Sequence, residues 1–223
     1  MNPTLSPTSL PAVSLPGPWN RVRTPFTPAA CILALLVVVG LGLNLRDGHT
    51  PAIDLAVLED LRSLPPALGW LLRGTYQLSG VHFTVVMVLA ALSFLTLKRS
   101  WREVRVLAVA TAGILLIVDR WLKPFFSRAR PPASLLDVEG HSFPSGHAAG
   151  SVVFYFLMCS ILSARYPRLT RPLYAGSVLW VGLVWLSSLY SRAHWFTDIV
   201  AGGCVGFLWL TLCLAWLHRR PAE

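Results

Sequence analysis

The chain has 223 residues, of which 54% are hydrophobic and 13% charged, and its mean hydropathy is +0.59. Soluble domains carry about 25% charged residues, so this composition excludes one and reads as a membrane protein. The formal net charge of +9 falls mostly on the loops of one membrane face, and nucleic-acid binding is not needed to explain it.

Residues 1–28 contain seven prolines among Ser and Thr, with neither an apolar core nor a cleavage-site pattern. They read as a disordered cytoplasmic tail and not as a signal peptide. A membrane-crossing helix needs about 20 apolar residues. Stretches free of charge run over 24–45, 74–97, 106–118, 140–164, 172–191 and 199–218, and predict six spans. The third is too short unless it continues through Asp119 and Arg120 towards Lys123, which places those charges against a watery cavity. Between spans 1 and 2, Ile53, Leu58, Leu61 and Leu64 fall near one helical face before Pro65 and Pro66, predicting a short amphipathic helix at the outer surface.

The predicted fold is therefore all-α: a six-transmembrane-helix bundle over 29–218, with a C-terminal tail at 219–223. Lys/Arg at 21, 23, 98, 99, 102, 105, 165, 168, 171, 219 and 220 fall on one side. By the positive-inside bias that side, with both termini, is cytoplasmic. Cys31, Cys159, Cys204 and Cys213 lie in apolar spans without C-x-x-C spacing, behave as small hydrophobes, and leave the redox compartment open.

The remaining polar clusters lie on the other, noncytoplasmic face. In "KPFFSRARPP" Lys123, Arg128 and Arg130 occur within eight residues. They either anchor a helix end or grip an anion, and their position on the disfavoured side points to the anion. In "HSFPSGHAAGS", Pro144, Ser145 and Gly146 precede an apolar run starting at His147. A helix start offers unpaired N–H groups to an anion, Gly146 permits close approach and Ser145 adds a hydroxyl. Ser145 as a simple cap with a structural His147 is the plainer alternative, and His141 and His82 read as structural. In "SSLYSRAHWFTDIVAGG", His194 and Asp198 are four apart and share a helical face. Asp198 either caps the helix or orients His194 as a nucleophile.

Together, Lys-x6-Arg-Pro, Pro-Ser-Gly-His and His-x3-Asp, in this order between spans, resemble the type 2 phosphatidic acid phosphatase superfamily. The resemblance extends over about residues 50–215. It implies a six-helix membrane bundle with its active site at the noncytoplasmic (periplasmic or extracellular) surface. It also implies metal-independent hydrolysis of a lipid phosphate, with no cofactor. His194 would attack phosphorus to give a phosphohistidine, oriented by Asp198, with His147 as acid and base. Lys123, Arg130, Ser145 and Gly146 would bind phosphate, with Arg128 a further candidate. The family's third motif is usually Ser-Arg-x5-His-x3-Asp, and Ser188 stands where its arginine would be. On a continuous helix Arg192, one turn on, would compensate.

The implied partners are the bilayer and a lipid with a phosphate or diphosphate headgroup: undecaprenyl diphosphate, phosphatidylglycerophosphate, phosphatidate or phosphorylated lipid A. A noncatalytic lipid-phosphate carrier using the same cations is an alternative. A haloperoxidase-like anion pocket and a zinc hydrolase using His141, His147, His194 and Asp198 are two more.

Overall fold

The computed structural model describes residues 26–45, 48–135 and 139–219. The tail expected at 1–28 lies outside them as far as residue 25, as does the C-terminal tail from residue 220. The first helix, α1, is Phe26–Asn44, so it begins inside the stretch assigned to the tail.

The order then runs α2 (Ala52–Asp60), a 3-10 turn (Leu61–Ser63), α3 (Pro66–Leu78), α4 (Val81–Leu97) and α5 (Trp101–Leu115). A π-helical turn (Leu116–Leu122) joins α5 to α6 (Lys123–Phe126), and α7 (Gly146–Arg165), α8 (Thr170–Tyr190) and α9 (Phe196–His218) follow. The described residues form no strand.

Three segments are long and apolar enough to cross a membrane: Gly146–Arg165, Pro167–Tyr190 and Phe196–His218. A fourth is reached if α3 and α4, bent by 54° at their junction, count as one span. The expected continuous span at 74–97 is thus a broken one: α3 ends at Leu78, and Gly80 starts α4 in an extended conformation. The apolar part of α1, Pro28–Asn44, is shorter than a full crossing. The fifth helix does continue through Asp119 and Arg120 to Lys123, but by widening into the π turn.

The core lies between α7, α9, α5 and α8, around Leu157, Val153, Leu107, Ala110 and Val205. Two glycines four residues apart set the seam between α7 and α9. A Cβ on Gly206 would lie 2.6 Å from the Ala149 carbonyl oxygen, and one on Gly202 2.4 Å from that of Ser145. Backbone rather than side chain occupies this contact, as small residues allow in membrane helix pairs. Because α7 and α9 run side by side in the same direction, the seam brings their N-termini together.

At the other end of the bundle the basic turns meet. Arg165 donates to Ser100 Oγ at 3.0 Å, and Arg102 donates to the carbonyls of Trp216, at 3.0 Å, and Arg219.

A short helix, α2, lies between α1 and α3 as the sequence predicts, with Leu58, Leu61 and Leu64 half-buried as expected, but it does not separate an apolar from a polar face. Ile53 is exposed, and the buried side chain is Asp54, at 1% exposure, alongside half-buried Val57, Leu58 and Leu61.

Candidate active site

The site forms where the N-termini of α7 and α9 meet the 127–145 segment. Ser127, in the left-handed conformation, ends α6 and turns the chain back across the bundle. Ser142 N–H donates to the Arg128 carbonyl at 2.9 Å, Trp195 Nε1–H to the Ala129 carbonyl at 3.0 Å and Leu135 N–H to the Ser191 carbonyl at 3.1 Å. The first bond closes the segment on itself, and the other two stitch it to the turn between α8 and α9.

That turn carries His194, buried at 3% exposure. Its Nδ1 lies 2.8 Å from the carbonyl oxygen of Ser142. A carbonyl can only accept, so Nδ1 carries the proton and the lone pair sits on Nε2. Asp198 Oδ2 is 3.7 Å from Nδ1, beyond hydrogen-bond range. Ser142 is thus the nearer partner of Nδ1, and Asp198 stands within ion-pair distance of the same nitrogen. Asp198 Oδ2 instead accepts the Trp195 N–H at 2.9 Å, capping α9. Burial lowers the His194 pKa, with Asp198 opposing and Arg130 and Lys123 reinforcing the shift.

Across the seam Ser145 caps α7, its Oγ accepting the Ala148 N–H at 3.2 Å while its own N–H donates to the Asp198 carbonyl at 3.0 Å. The His147 ring lies 6.1 Å, centroid to centroid, from that of His194 and 4.9 Å from that of Tyr76. Tyr76, on α3, had no signal in the sequence. Lys123 reaches the same helix start: its Nζ is 3.8 Å from where a Cβ on Gly146 would stand. One Lys123 N–H is held by Asp119 Oδ1 at 2.6 Å, leaving two of the three ammonium donors.

Arg130 spans three backbone carbonyls: Gly140 at 3.1 Å, Glu139 at 3.0 Å and Ala193 at 2.5 Å. It thus ties the long loop to the residue before His194 and retains two of its five N–H donors. Burial lowers its pKa, opposed by Tyr76, Asp198 and Asp119.

Two sequence assignments are revised. Arg128, grouped with the phosphate ligands, is buried and committed elsewhere. Its guanidinium donates to Asp198 Oδ1 at 2.5 Å, Thr197 Oγ1 at 2.8 Å and Asp54 Oδ2 at 2.7 Å, beneath the Trp195 ring at 5.3 Å. Asp54 also accepts the Thr197 N–H and hydroxyl, each at 2.8 Å. The reason is electrostatic: two carboxylates without solvent need a cation, and the planar fork of arginine serves both. Asp54 was missed in the sequence, although as the one charge on the stripe Asp54, Val57, Leu58, Leu61 it was visible once that face was phased correctly.

Arg192 was expected to reach the phosphate from a helix continuous with Ser188. The helix stops at Tyr190, and Arg192 has φ +54° in the turn beyond. Its guanidinium donates at 3.4 Å to the Ala133 carbonyl. Ser188 itself is buried and donates to the Val184 carbonyl of its own helix at 2.9 Å. His141 and His82 are exposed.

A pair of imidazoles and two cations with spare donors surround the start of α7, all within a stretch, residues 105–222, that matches the PAP2 superfamily. The chain belongs to that superfamily. This PAP2 chain is 26% identical over 148 residues to phosphatidylglycerophosphatase B of Bacillus subtilis strain 168, covering 64% of this chain and 72% of that protein. It is 30% identical over 156 residues to the lipid A 4'-phosphatase of Porphyromonas gingivalis, covering 62% of this chain and 63% of that protein. The crystal structure of a transmembrane PAP2 type phosphatidylglycerolphosphate phosphatase from Bacillus subtilis superposes with a TM-score of 0.71 at 22% identity. That superposition covers 85% of this chain and 95% of the other, and shows that the PAP2 membrane fold is shared.

Proposed function

We propose that the protein is an integral membrane phosphatase that hydrolyses the phosphomonoester or diphosphate of a lipid through a phosphohistidine on His194. The single observation that carries this reading is the facing pair His147 and His194, 6.1 Å apart, with the His194 proton fixed on Nδ1 by Ser142. That arrangement leaves Nε2 as a nucleophile and a second imidazole on the opposite side of the space a phosphate would fill.

Phosphoryl transfer spreads charge over equatorial oxygens, so fixed donors do much of the work. Lys123 and Arg130 supply two unused N–H donors each, and the Ser145 hydroxyl and the Gly146 N–H at the start of α7 complete the cradle. In the first step the Nε2–P bond forms as the P–O bond to the lipid breaks, and His147 gives its proton to the departing oxygen. In the second, His147 takes a proton from water, whose oxygen bonds to phosphorus as the N–P bond breaks. Asp198 stabilises the charge that develops on His194.

The same reading places six crossings in the bilayer, with α1 and the α5–α6 rod added to the four above. It sets the basic turns in the cytoplasm and the site at the opposite surface, where an amphiphile keeps its tail in lipid. The relatives, a phosphatidylglycerophosphatase and a lipid A 4'-phosphatase, support a lipid phosphate as substrate. The test is release of inorganic phosphate from a panel of lipid phosphates in detergent, with His194→Ala as blank. Acid-labile, base-stable label on the protein after a quench is the expected mark of the intermediate. Binding of lipid phosphate without release would replace this reading by that of a carrier.

A further inference from the structure

The two imidazoles of the site are held in different ways. His194 is fixed by the Ser142 carbonyl, 2.8 Å from its Nδ1. Among the described residues no hydrogen bond reaches the His147 ring, whose neighbours are two other rings, those of His194 and Tyr76. The outer torsion of a histidine is soft, so an imidazole without a hydrogen bond turns unless packing stops it.

Tyr76 supplies that packing. Its ring centroid lies 4.9 Å from that of His147 with the planes 33° apart, a tilted stack, whereas the His194 ring is 6.1 Å away at 65°. The inward stripe of α3 brings it there. Gly69, Leu72 and Tyr76 are spaced i, i+3, i+7 along one face. Leu72 is fully buried, while Trp70, Leu71 and Leu78 on the other faces are exposed. A Cβ on Gly69 would lie 2.1 Å from Tyr190 Oη, so α3 passes hard against the end of α8. Tyr76, two turns beyond Gly69, is thereby delivered to the start of α7. Its charge also acts on the Arg130 guanidinium, so an acid and a phosphate donor both lie within its reach.

His147 carries the harder half of the first step. As the bond from His194 Nε2 to phosphorus forms and the P–O bond to the lipid breaks, the His147 proton passes to the departing oxygen. In a phosphomonoester that oxygen belongs to a weakly acidic alcohol, so transfer needs the donor N–H aimed at it. The flat, electron-rich face of a tyrosine limits the tilt of the imidazole and favours its protonated form. We propose that Tyr76 is the positioning residue of the general acid, acting on the leaving group through His147. This rests on the lipid phosphatase reading above.

The experiment uses two amphiphilic monoesters in neutral detergent: dodecyl phosphate, and para-nitrophenyl phosphate with a dodecyl chain on its ring. Nitrophenolate departs without a proton; the alkoxide needs one. The readout is the ratio of alkyl to aryl kcat/KM, in which the fraction of folded enzyme cancels. His147→Ala should lower this ratio by about 10² or more, the scale of general acid catalysis. Tyr76→Ala should lower it about tenfold, as for an acid that is present but loosely aimed. Tyr76→Leu, which fills the space without a flat face, should do the same, and Tyr76→Phe should hold the ratio within about twofold of the parent. In the His147→Ala background Tyr76→Ala should leave the ratio where it is, since no acid remains to be positioned. Equal losses on both substrates would make Tyr76 a wall of the pocket and overturn the proposal. So would a further fall in the double variant, which would mean direct contact with the leaving group. A Tyr76→Phe ratio as low as that of Tyr76→Ala would give the role to the hydroxyl and overturn the stack. A ratio untouched by His147→Ala would remove the acid, and the proposal with it. Failure of the parent protein to release phosphate from any lipid would instead sink the catalytic reading.

Discussion

Asp54 on α2 and Asp198 on α9 are held by one guanidinium, that of Arg128, at 2.7 and 2.5 Å, with all three side chains buried. The helix that lies outside the bundle is thus locked to the carboxylate next to His194. Removing the shared cation leaves two buried charges uncompensated, which for a single broken buried pair costs about 3 to 5 kcal/mol. Arg128→Ala should therefore lower thermal stability in detergent by that order, with lost turnover following from it. Arg128→Lys should rescue poorly, since one ammonium cannot fork between the two acids. Thermal unfolding of both variants checks this. A stable Arg128→Ala protein with only a raised KM would restore Arg128 to the phosphate ligands.

Asp54→Asn removes the outer charge and keeps the shape. It should lower kcat about tenfold, with KM changed less, because Asp198 then bears more of the Arg128 charge and stabilises the His194 imidazolium less. Steady-state kinetics on any accepted lipid separates the two constants. An unchanged kcat would confine Asp54 to anchoring α2.

The nucleophile must be neutral to attack. Burial lowers the His194 pKa from its ordinary value of 6.5. The acid limb of the kcat/KM profile should then lie below that value, with activity retained as pH falls from 7 to about 6. Asp198 pulls the pKa upward, so Asp198→Asn should move the limb further to acid while depressing the plateau. A profile taken from about pH 4 to pH 8 decides it, and an acid limb above 6.5 would contradict the burial-dominated site.

In the resting site Asp119 occupies one Lys123 donor across a 2.6 Å contact, with the lysine about one-fifth and the aspartate nearly half exposed. Phosphate must compete with that carboxylate. Asp119→Asn should lower KM for a lipid phosphate by roughly twofold to fivefold, the scale of a partly solvated ion pair. A raised KM would mean that Asp119 positions Lys123 instead of restraining it.

Gly202→Ala should be among the most damaging small substitutions, since its Cβ would enter the 2.4 Å space before the Ser145 carbonyl, where only backbone can move. Overpacking of this kind costs about 1 to 3 kcal/mol. Here it also displaces the cap of α7, so turnover should fall by more than the stability change explains. Gly150→Ala, with open space at its Cβ, is the matched control.

Much of this arrangement was legible in the residues themselves. Uncharged stretches marked the helices α7, α8 and α9, and Pro144, Ser145, Gly146 marked the start of α7. The spacing of His194 and Asp198 marked the entrance to α9. What escaped had physical causes. Helical periodicity fixes a face only to within a residue or so, which hid Asp54 behind Ile53. A guanidinium reads the same in sequence whether it faces solvent or two carboxylates, so Arg128 was grouped with Arg130. The end of α8 at Tyr190 has no Gly or Pro to announce it, and the reach assigned to Arg192 depended on a helix that had already stopped. Tyr76 meets His147 across two helices distant in the chain, a contact that helical periodicity does not encode.

The glycine contact between α7 and α9 has a consequence for how this chain can change. With carbonyl oxygens abutting at Gly202 and Gly206 there is no compressible side chain to absorb a shift, and the rod that bears His147 is ratcheted to the rod that follows His194. New headgroup preferences must then be written in the attached parts, α2, α3 and the loop residues that flank the site, while the reactive pair stays in fixed register.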